Sequence, residues 1–361
     1  MNGKLQDGKL WDNRFIQTLL KLVPGTPLRD GLEHIIRAKM GALVFVISNA
    51  KMLELVDGGF EINCEYAPSA FYELAKMDGA IVLSGDAKMI LCANAQLVPD
   101  SGIATSETGT RHRTAERVAK QTGGLVVAIS QRRNVISLYM GNLRYTLRDI
   151  SFILNRANQA LQTLEKYRLV LKRALVKLSE LEFEHRVTLA DVTEIFIRME
   201  QVHRIAREIE LNIIELGTEG RLLSMQVEEL LAEGDAMDLL LKDYCVSADA
   251  LVQEQVREHI ALLSEDNLEV YTICRLLGYG VTPNAVDIPV VPRGYRVLHQ
   301  LPRLPVNVID NLIAHFRVLP RICAATIEDL DEVGGVGEVR AKNIRDGLMR
   351  LKEHVRLDSY R

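Results

Sequence analysis

"GTRHRTAERVAKQTGGLVVAIS", residues 109–130, decides the fold. It opens on cations and hydroxyls, runs through a helix-forming stretch to a double glycine, and continues into a β-branched run. A helix, a glycine stop and an apolar strand in that order mark a mixed α/β domain. The same rhythm holds from about residue 20 to 147, where "GALVFVIS" (41–48), "GAIVLS" (79–84), "MILCANAQLV" (89–98), "GLVVAIS" (124–130) and "NVISLYM" (134–140) read as strands, most of them buried. Between them, "TPLRDGLEHIIRAKMG" offers Thr26 as N-cap, Pro27 at the first helical position and Gly41 just past the end. "SAFYELAKMDG" reads as a shorter helix.

At 361 residues the chain has room for two or three domains. Apolar residues at 48% and charged residues at 25% are ordinary for a globular protein. A net charge of -4 excludes a surface coated in positive charge, so any nucleic-acid contact must be local. The five cysteines are dispersed, with no Cys-x-x-Cys pair, which fits a reducing cytosol. The opening "MNGKLQDGKLWDNRFIQ" lacks a signal-peptide pattern, and no apolar run approaches the roughly 18 residues of a membrane span, so a cytoplasmic location and no membrane partner are expected.

Residues 151–216 hold neither glycine nor proline, and leucines recur at three- and four-residue steps, which predicts long helices. The run breaks near 184–187, where Thr188 with Asp191 reads as a helix start, and "GTEG" (217–220) closes the second helix. Helical pattern continues to about residue 278. Gly278, Gly280, Pro283, Pro289, Pro292, Gly294, Pro302 and Pro305 then mark a boundary.

The basic cluster carries the chemistry. Thr114 can cap the helix that follows, which would put Thr110, Arg111, His112 and Arg113 at a helix N-terminus that already favours an anion. In an extended loop Arg111 and Arg113 project to one side and can fork onto phosphate oxygens, with Thr110 and Thr114 as hydroxyl donors. The competing reading is a solvated charge patch. No G-x-x-x-x-G-K-[ST] and no strand-linked G-x-G-x-x-G occurs, so this is a phosphate site without a P-loop. "KMDGAIVLS" adds Asp78 at the mouth of a strand, by itself a common turn sequence. Beside a phosphate site, however, a carboxylate can hold a divalent metal or take a proton from an attacking hydroxyl.

"DGA" at 78–80 together with "GTRHRTAE" at 109–116 resembles the diadenylate cyclase family, and the chain over nearly its full length resembles the bacterial DNA-integrity scanning family that carries this domain. The resemblance implies that two ATP molecules are joined into cyclic di-AMP with release of two pyrophosphates, one ATP per domain, two domains facing each other, and Mg²⁺ or Mn²⁺ as cofactor. It implies that Asp78 binds the metal or activates the 3′-hydroxyl, that Gly79 and Ala80 let the nucleotide approach the backbone, and that Leu97 lines the adenine pocket. Thr110, Arg111, His112, Arg113 and Thr114 would hold the triphosphate, with Ser130 and Arg133 completing its surroundings. Gln131 departs from relatives that carry arginine there. For His112 a structural hydrogen bond is the alternative, because a neutral imidazole can orient the loop as easily as touch a phosphate.

At the other end, "DLDEVGGVGEVRAKNIRDGL" (329–348) has Gly335 and Gly337 between helical patterns, with Arg340, Ala341 and Lys342 following, and resembles a helix-hairpin-helix rather than an ordinary turn. Its glycines let a duplex backbone come close, and hairpin N–H groups bind phosphate without reading bases. "LPRLPVNVIDNLIAHF" (301–316) reads as a degenerate partner hairpin. From Val339 onward seven Lys or Arg face three Asp or Glu, an excess that predicts moderate, salt-sensitive binding. The resemblance adds branched DNA such as recombination junctions as partner, and an octamer as the assembly.

The expected architecture is therefore an α/β head domain with a mixed central sheet flanked by helices (1–148), an all-α spine (149–282) and a tandem helix-hairpin-helix module (283–361). The alternative function, from another class, is a DNA-binding scaffold whose head binds nucleotide without turning it over.

Overall fold

The computed structural model describes residues 13–232, 236–280 and 287–358. The chain forms two compact units, one built from the described residues up to Gln159 with Ile209–Met225, the other from Ala160–Glu208 with the described residues from Gln226 onward. The predicted boundary at 282/283, and Pro283, lie outside the described residues.

The first unit opens with α1 (Asn13–Leu19), α2 (Pro27–Arg37) and strand β1 (Ala42–Ile47). Strands β2 (Val56–Asp57) and β3 (Phe60–Glu65), helix α3 (Pro68–Leu74), and strands β4 (Ala80–Ser84) and β5 (Met89–Leu97) follow. Helix α4 (Thr110–Thr122) and strands β6 (Leu125–Ser130), β7 (Val135–Met140) and β8 (Leu143–Thr146) close the series. The strands make one mixed sheet in the order β2-β5-β4-β1-β6-β7-β8, with β3 also paired to β5. Strands β1 and β4 run parallel and the remaining pairs antiparallel.

Every residue of β1 is buried, because the sheet is covered on both faces. Val44, Val46, Ile81, Leu83, Val127 and Ile129 pack with Phe15, Leu32, Ile35 and Phe71 on one side. Their neighbours Leu43, Phe45, Val82, Val126 and Ala128 pack with Ala115, Val118 and Ala119 of α4 on the other. The continuous apolar runs are the sequence trace of this two-sided burial.

Thr26 caps α2 as expected, its hydroxyl accepting from the Arg29 N–H at 3.3 Å. The predicted stop at Gly41 is corrected: α2 ends at Arg37, and Lys39 takes the left-handed turn at φ 54°. Gly41 has a different use, given below. Strands β2, β3 and β8 were not anticipated. They lie toward the margins of the sheet, and β3 is largely exposed, so its apolar signal is thin.

Helices α5 (Ile150–Glu184) and α6 (Leu189–Leu216) are the expected long pair. His185 breaks the run at φ 59°. The Thr188 hydroxyl then donates to Asp191 Oδ2 at 2.6 Å and accepts from the Asp191 N–H at 3.4 Å, starting α6. The second unit continues through α7 (Arg221–Leu231), which begins in the first, α8 (Met237–Tyr244), α9 (Ala250–Leu262) and α10 (Val270–Leu276). Its last helices are α11 (Tyr295–His299), α12 (Val306–Phe316), α13 (Leu319–Ala324), α14 (Ile327–Asp331) and α15 (Glu338–Asp358).

Val297, Leu298, Ile309, Leu312, Leu319, Ile322, Ala341 and Ile344 form the core of this terminal module, joined by Phe183 of α5. A buried polar knot lies beside it. Asp243 accepts the backbone N–H groups of Gly294, Tyr295 and Arg296 at 2.7, 2.7 and 2.9 Å. Arg296 pairs with Glu182, which also accepts the Tyr244 hydroxyl at 2.6 Å. Burial, and then the charge of Glu182, pushes the Asp243 carboxyl up to about 7, against the pull of the three N–H groups.

Candidate nucleotide site

The mouth of β4 is the first wall. Gly79 has φ +88°, and a Cβ there would meet the Ala95 carbonyl oxygen at 2.8 Å. Asn94, itself left-handed at φ 56°, sends its side-chain amide to the Asp78 carbonyl oxygen at 2.8 Å. Pairing between β4 and β5 shifts register between Ala80 and Val82, as a bulge does where a strand must re-aim a side chain. The result is a fixed turn with the Asp78 side chain exposed at the cleft.

The second wall is α4, and here the expected local structure is corrected. Gly109 occupies the N-cap (φ −82°, ψ 137°) and the helix begins at Thr110. Thr110, Arg111, His112, Arg113 and Thr114 therefore form its first turn, not a loop capped by Thr114. Arginine and alanine favour helix, and Gly109 adopts the extended cap conformation without a side chain, so the helix reaches back through the cluster. Helical spacing sends Arg111 and Arg113 to different sides. Arg111 turns inward, and a Cβ at Gly41 would lie 2.3 Å from its guanidinium, so glycine at 41 leaves room for it. Arg113 is exposed.

A cleft of about 1010 Å³ joins the two walls. It brings together Asp78, Gly79, Ala80, Leu97, Thr110, Arg111, His112, Thr114 and Ser130, all expected site residues. Arg113 and Arg133 are not among its lining; Arg133 instead approaches Glu107 at 3.9 Å, and its backbone N–H bonds the Ser130 hydroxyl at 3.2 Å. Gln131 and Arg132 do line the cleft, so a cation reaches this edge one residue beyond the glutamine. Leu43 adds apolar surface beside Leu97.

Sequence reasoning missed the supports. Glu116 accepts from the Thr105 hydroxyl and from the Ser106 N–H at 3.0 Å. Arg117 bonds the Ile103 carbonyl at 2.9 Å, Lys120 the Ala104 carbonyl at 2.8 Å, and Gln121 the Asp100 N–H at 2.9 Å. The segment 100–106 is thus tied along α4. Behind the cluster, buried Glu107 accepts from the Tyr139 hydroxyl at 2.8 Å and pairs with Arg144 at 2.9 Å. Tyr139 meets His112 Nδ1 at 2.9 Å. Spacing of three and four along "ERVAKQ" puts the first set on one helix face without showing the segment it ties; nothing local linked Glu107 to Tyr139.

The second candidate site is the terminal hairpin. Gly335 sits at φ +89° between α14 and α15, and Asn311 holds the turn by donating to the Gly334 carbonyl at 2.7 Å. Arg340 donates to the Gly335 carbonyl. Gly337 and Arg340 line a cleft of about 880 Å³ with Arg303, Asn343 and Arg350, while Lys342 is exposed outside that lining. In the degenerate hairpin Arg303 itself takes the left-handed position, φ 61°, that a glycine would fill.

A carboxylate facing the cationic first turn of a long helix across an apolar-floored cleft defines a nucleotide-binding domain of the phosphoryl- or nucleotidyl-transferring kind. Comparison with known proteins narrows the class. The profile described as "DisA bacterial checkpoint controller nucleotide-binding" matches residues 29–143, and that described as "DisA bacterial checkpoint controller linker region" matches 147–286. A DNA integrity scanning protein DisA from Carboxydothermus hydrogenoformans is 55% identical over 95% of this chain and 98% of its own length. Relatives of the same description from Clostridium botulinum and Acetivibrio thermocellus are 54% and 52% identical over 96% of this chain, covering 98% and 97% of theirs. The chain belongs to the DisA family, the diadenylate cyclases that make cyclic di-AMP. No helix among the described residues is long and apolar enough to cross a membrane.

Proposed function

We propose that the cleft holds one ATP, its triphosphate over the first turn of α4 and its adenine toward Leu43 and Leu97. Thr110, Arg111, Thr114 and Ser130 supply hydrogen-bond donors and charge, and Gly79 and Ala80 leave the backbone open to close approach. Two such domains face each other, so that the 3′-hydroxyl of each nucleotide meets the α-phosphate of the other and catalysis is positioning plus charge neutralisation. Arg113 and Arg133 act on the phosphates once the second subunit closes over the cleft. The assembly proposed is the octamer, with the head, spine and hairpin module divided near 148 and 282.

A divalent cation fits this donor set in one way. Among the described residues no three His, Cys, Asp or Glu side chains converge as a metal cage, but Asp78 presents an exposed carboxylate. Mg²⁺ and Mn²⁺ are hard ions commonly held by one or two carboxylates, with substrate phosphates and water completing the shell. When bound, the cation supplies charge to the phosphates and acidifies the hydroxyl. Asp78 holds it, or accepts the proton of the 3′-hydroxyl.

The C-terminal hairpins are proposed to bind the backbone of branched DNA through Gly335, Gly337, Arg340 and Lys342, several modules on one oligomer favouring branches by multivalency.

The observation that carries the proposal is the convergence of Asp78 and the α4 first turn on one cleft. Incubating the purified chain with ATP and either Mg²⁺ or Mn²⁺ should yield cyclic di-AMP by chromatography. No product with either metal leaves the nucleotide-binding scaffold as the better reading.

A further inference from the structure

His112 lines the cleft yet is only 6% exposed, and its two ring nitrogens are in different situations. Nδ1 lies 2.9 Å from the Tyr139 hydroxyl. Nε2 is buried and has no hydrogen-bond partner in the protein. Which nitrogen carries the hydrogen follows from Glu107, whose carboxylate pairs with Arg144 and lies 2.8 Å from the same hydroxyl.

A carboxylate paired with a guanidinium has no hydrogen to give. Tyr139 has one, and it goes to Glu107. The phenolic oxygen is then left to accept, so the imidazole nitrogen beside it must be N–H. Burial first, and then the nearby Arg133, Arg144 and Arg111 guanidiniums, hold the His112 imidazolium below its usual range, with Glu107 opposing them. A neutral ring protonated on Nδ1 carries a lone pair on Nε2.

That lone pair cannot serve the triphosphate, whose ionised oxygens only accept. The donors on ATP are the ribose hydroxyls and the adenine amino group. Arg111, next in the chain, faces the phosphate position proposed above, and the ribose is bonded to those phosphates while the amino group lies at the far end of the base. Resting on the reading of the cleft as an ATP site, we infer that Glu107 and Tyr139 are positioning residues that fix His112 as the Nδ1–H tautomer, and that Nε2 accepts a hydrogen bond from a ribose hydroxyl of the nucleotide. His112 thereby leaves the set of phosphate ligands to which the sequence motif had assigned it.

The test removes the hydroxyls one at a time. Binding of the α,β-methylene analogue of ATP and of its 2′-deoxy and 3′-deoxy forms is measured by calorimetry on the full chain and on its His112→Ala, Tyr139→Phe and Glu107→Gln variants. The wild type should bind one deoxy form roughly five- to tenfold more weakly, the size of one hydrogen bond to a buried group. In His112→Ala and Tyr139→Phe that preference should vanish. Glu107→Gln is the control, because one oxygen, Oε1, accepts from both the Tyr139 hydroxyl and Arg144: the guanidinium can only donate, so the amide oxygen stays at that position and the ring hydrogen stays on Nδ1. It should keep the preference.

Thermal unfolding of each variant separates lost selectivity from lost fold, and if Tyr139→Phe does not fold, the other two decide. The inference is overturned if the wild type binds all three analogues alike, or if folded His112→Ala or Tyr139→Phe weakens all three by one common factor, as loss of a phosphate contact would. Failure of the cleft reading looks different: the wild type then neither binds the parent analogue nor makes cyclic di-AMP from ATP.

Discussion

At the residue scale, Asp78 is the group whose loss should separate chemistry from binding. Asp78→Asn keeps the turn, which is held through its backbone carbonyl, and should lower product formation about a hundred- to ten-thousandfold while ATP binding stays measurable; full turnover in that variant would take Asp78 out of the reaction. Arg111→Ala should weaken ATP binding about tenfold or more, the range of a charge-assisted hydrogen bond. Arg113→Ala should change equilibrium binding to a single site by less than about twofold and act on turnover instead. Titration of both variants with a non-hydrolysable analogue checks the contrast. Gly79→Ala combines a left-handed backbone with a Cβ 2.8 Å from a carbonyl oxygen. It should cost about 1–3 kcal/mol in denaturant unfolding and abolish activity by displacing Asp78.

At the scale of elements, the long helices, the buried strands and the Thr26 and Thr188 caps were all legible, since each leaves a periodic or local trace. The start of α4 was not. Thr114 is a good cap residue, but so is the extended backbone of Gly109, and the choice is made by Glu116, Arg117, Lys120 and Gln121 tying 100–106 down the same helix, which no local pattern displays. The residues of the two short motifs stand out together in the sequence and most of them line one cleft, whereas Leu97 and Ser130, which line it too, lie outside both motifs and came only with the family resemblance. Which of the two arginines turns inward depended on whether the cluster was helix or loop. The Glu107–Tyr139–His112 chain was invisible, because its partners meet only when β7 lies beneath α4. The knot around Asp243 was equally hidden, and it carries a pH prediction. A carboxyl raised to about 7 in the folded chain from 3.8 in the unfolded one contributes stability below about pH 4 that is lost as pH rises toward 7. The stability advantage of wild type over Asp243→Asn, measured by denaturant unfolding, should therefore shrink across that window by at most about 1.4 kcal/mol per pH unit; a gap independent of pH would show that the three N–H groups keep Asp243 ionised throughout.

At the scale of the whole molecule, the proposed facing of two clefts predicts that specific activity rises with protein concentration until the assembly is complete, whereas ATP binding per chain does not. Sedimentation and activity measured on one dilution series check this together. Binding of a four-way DNA junction should weaken steeply with salt. Replacing Gly335 and Gly337 by valine should remove it while leaving cyclic di-AMP synthesis in the absence of DNA unchanged. Arg340→Ala should lower the salt slope by about one ion.

The stitching of residues 100–106 along α4 bears on speed. A cradle whose approach segment is already fastened has little left to rearrange when its nucleotide arrives, so capture should follow a single exponential whose rate climbs in proportion to ligand concentration without reaching a plateau. Severing the stitches, as in Glu116→Ala, should turn that straight line into a saturating curve while the final occupancy at high ligand stays complete.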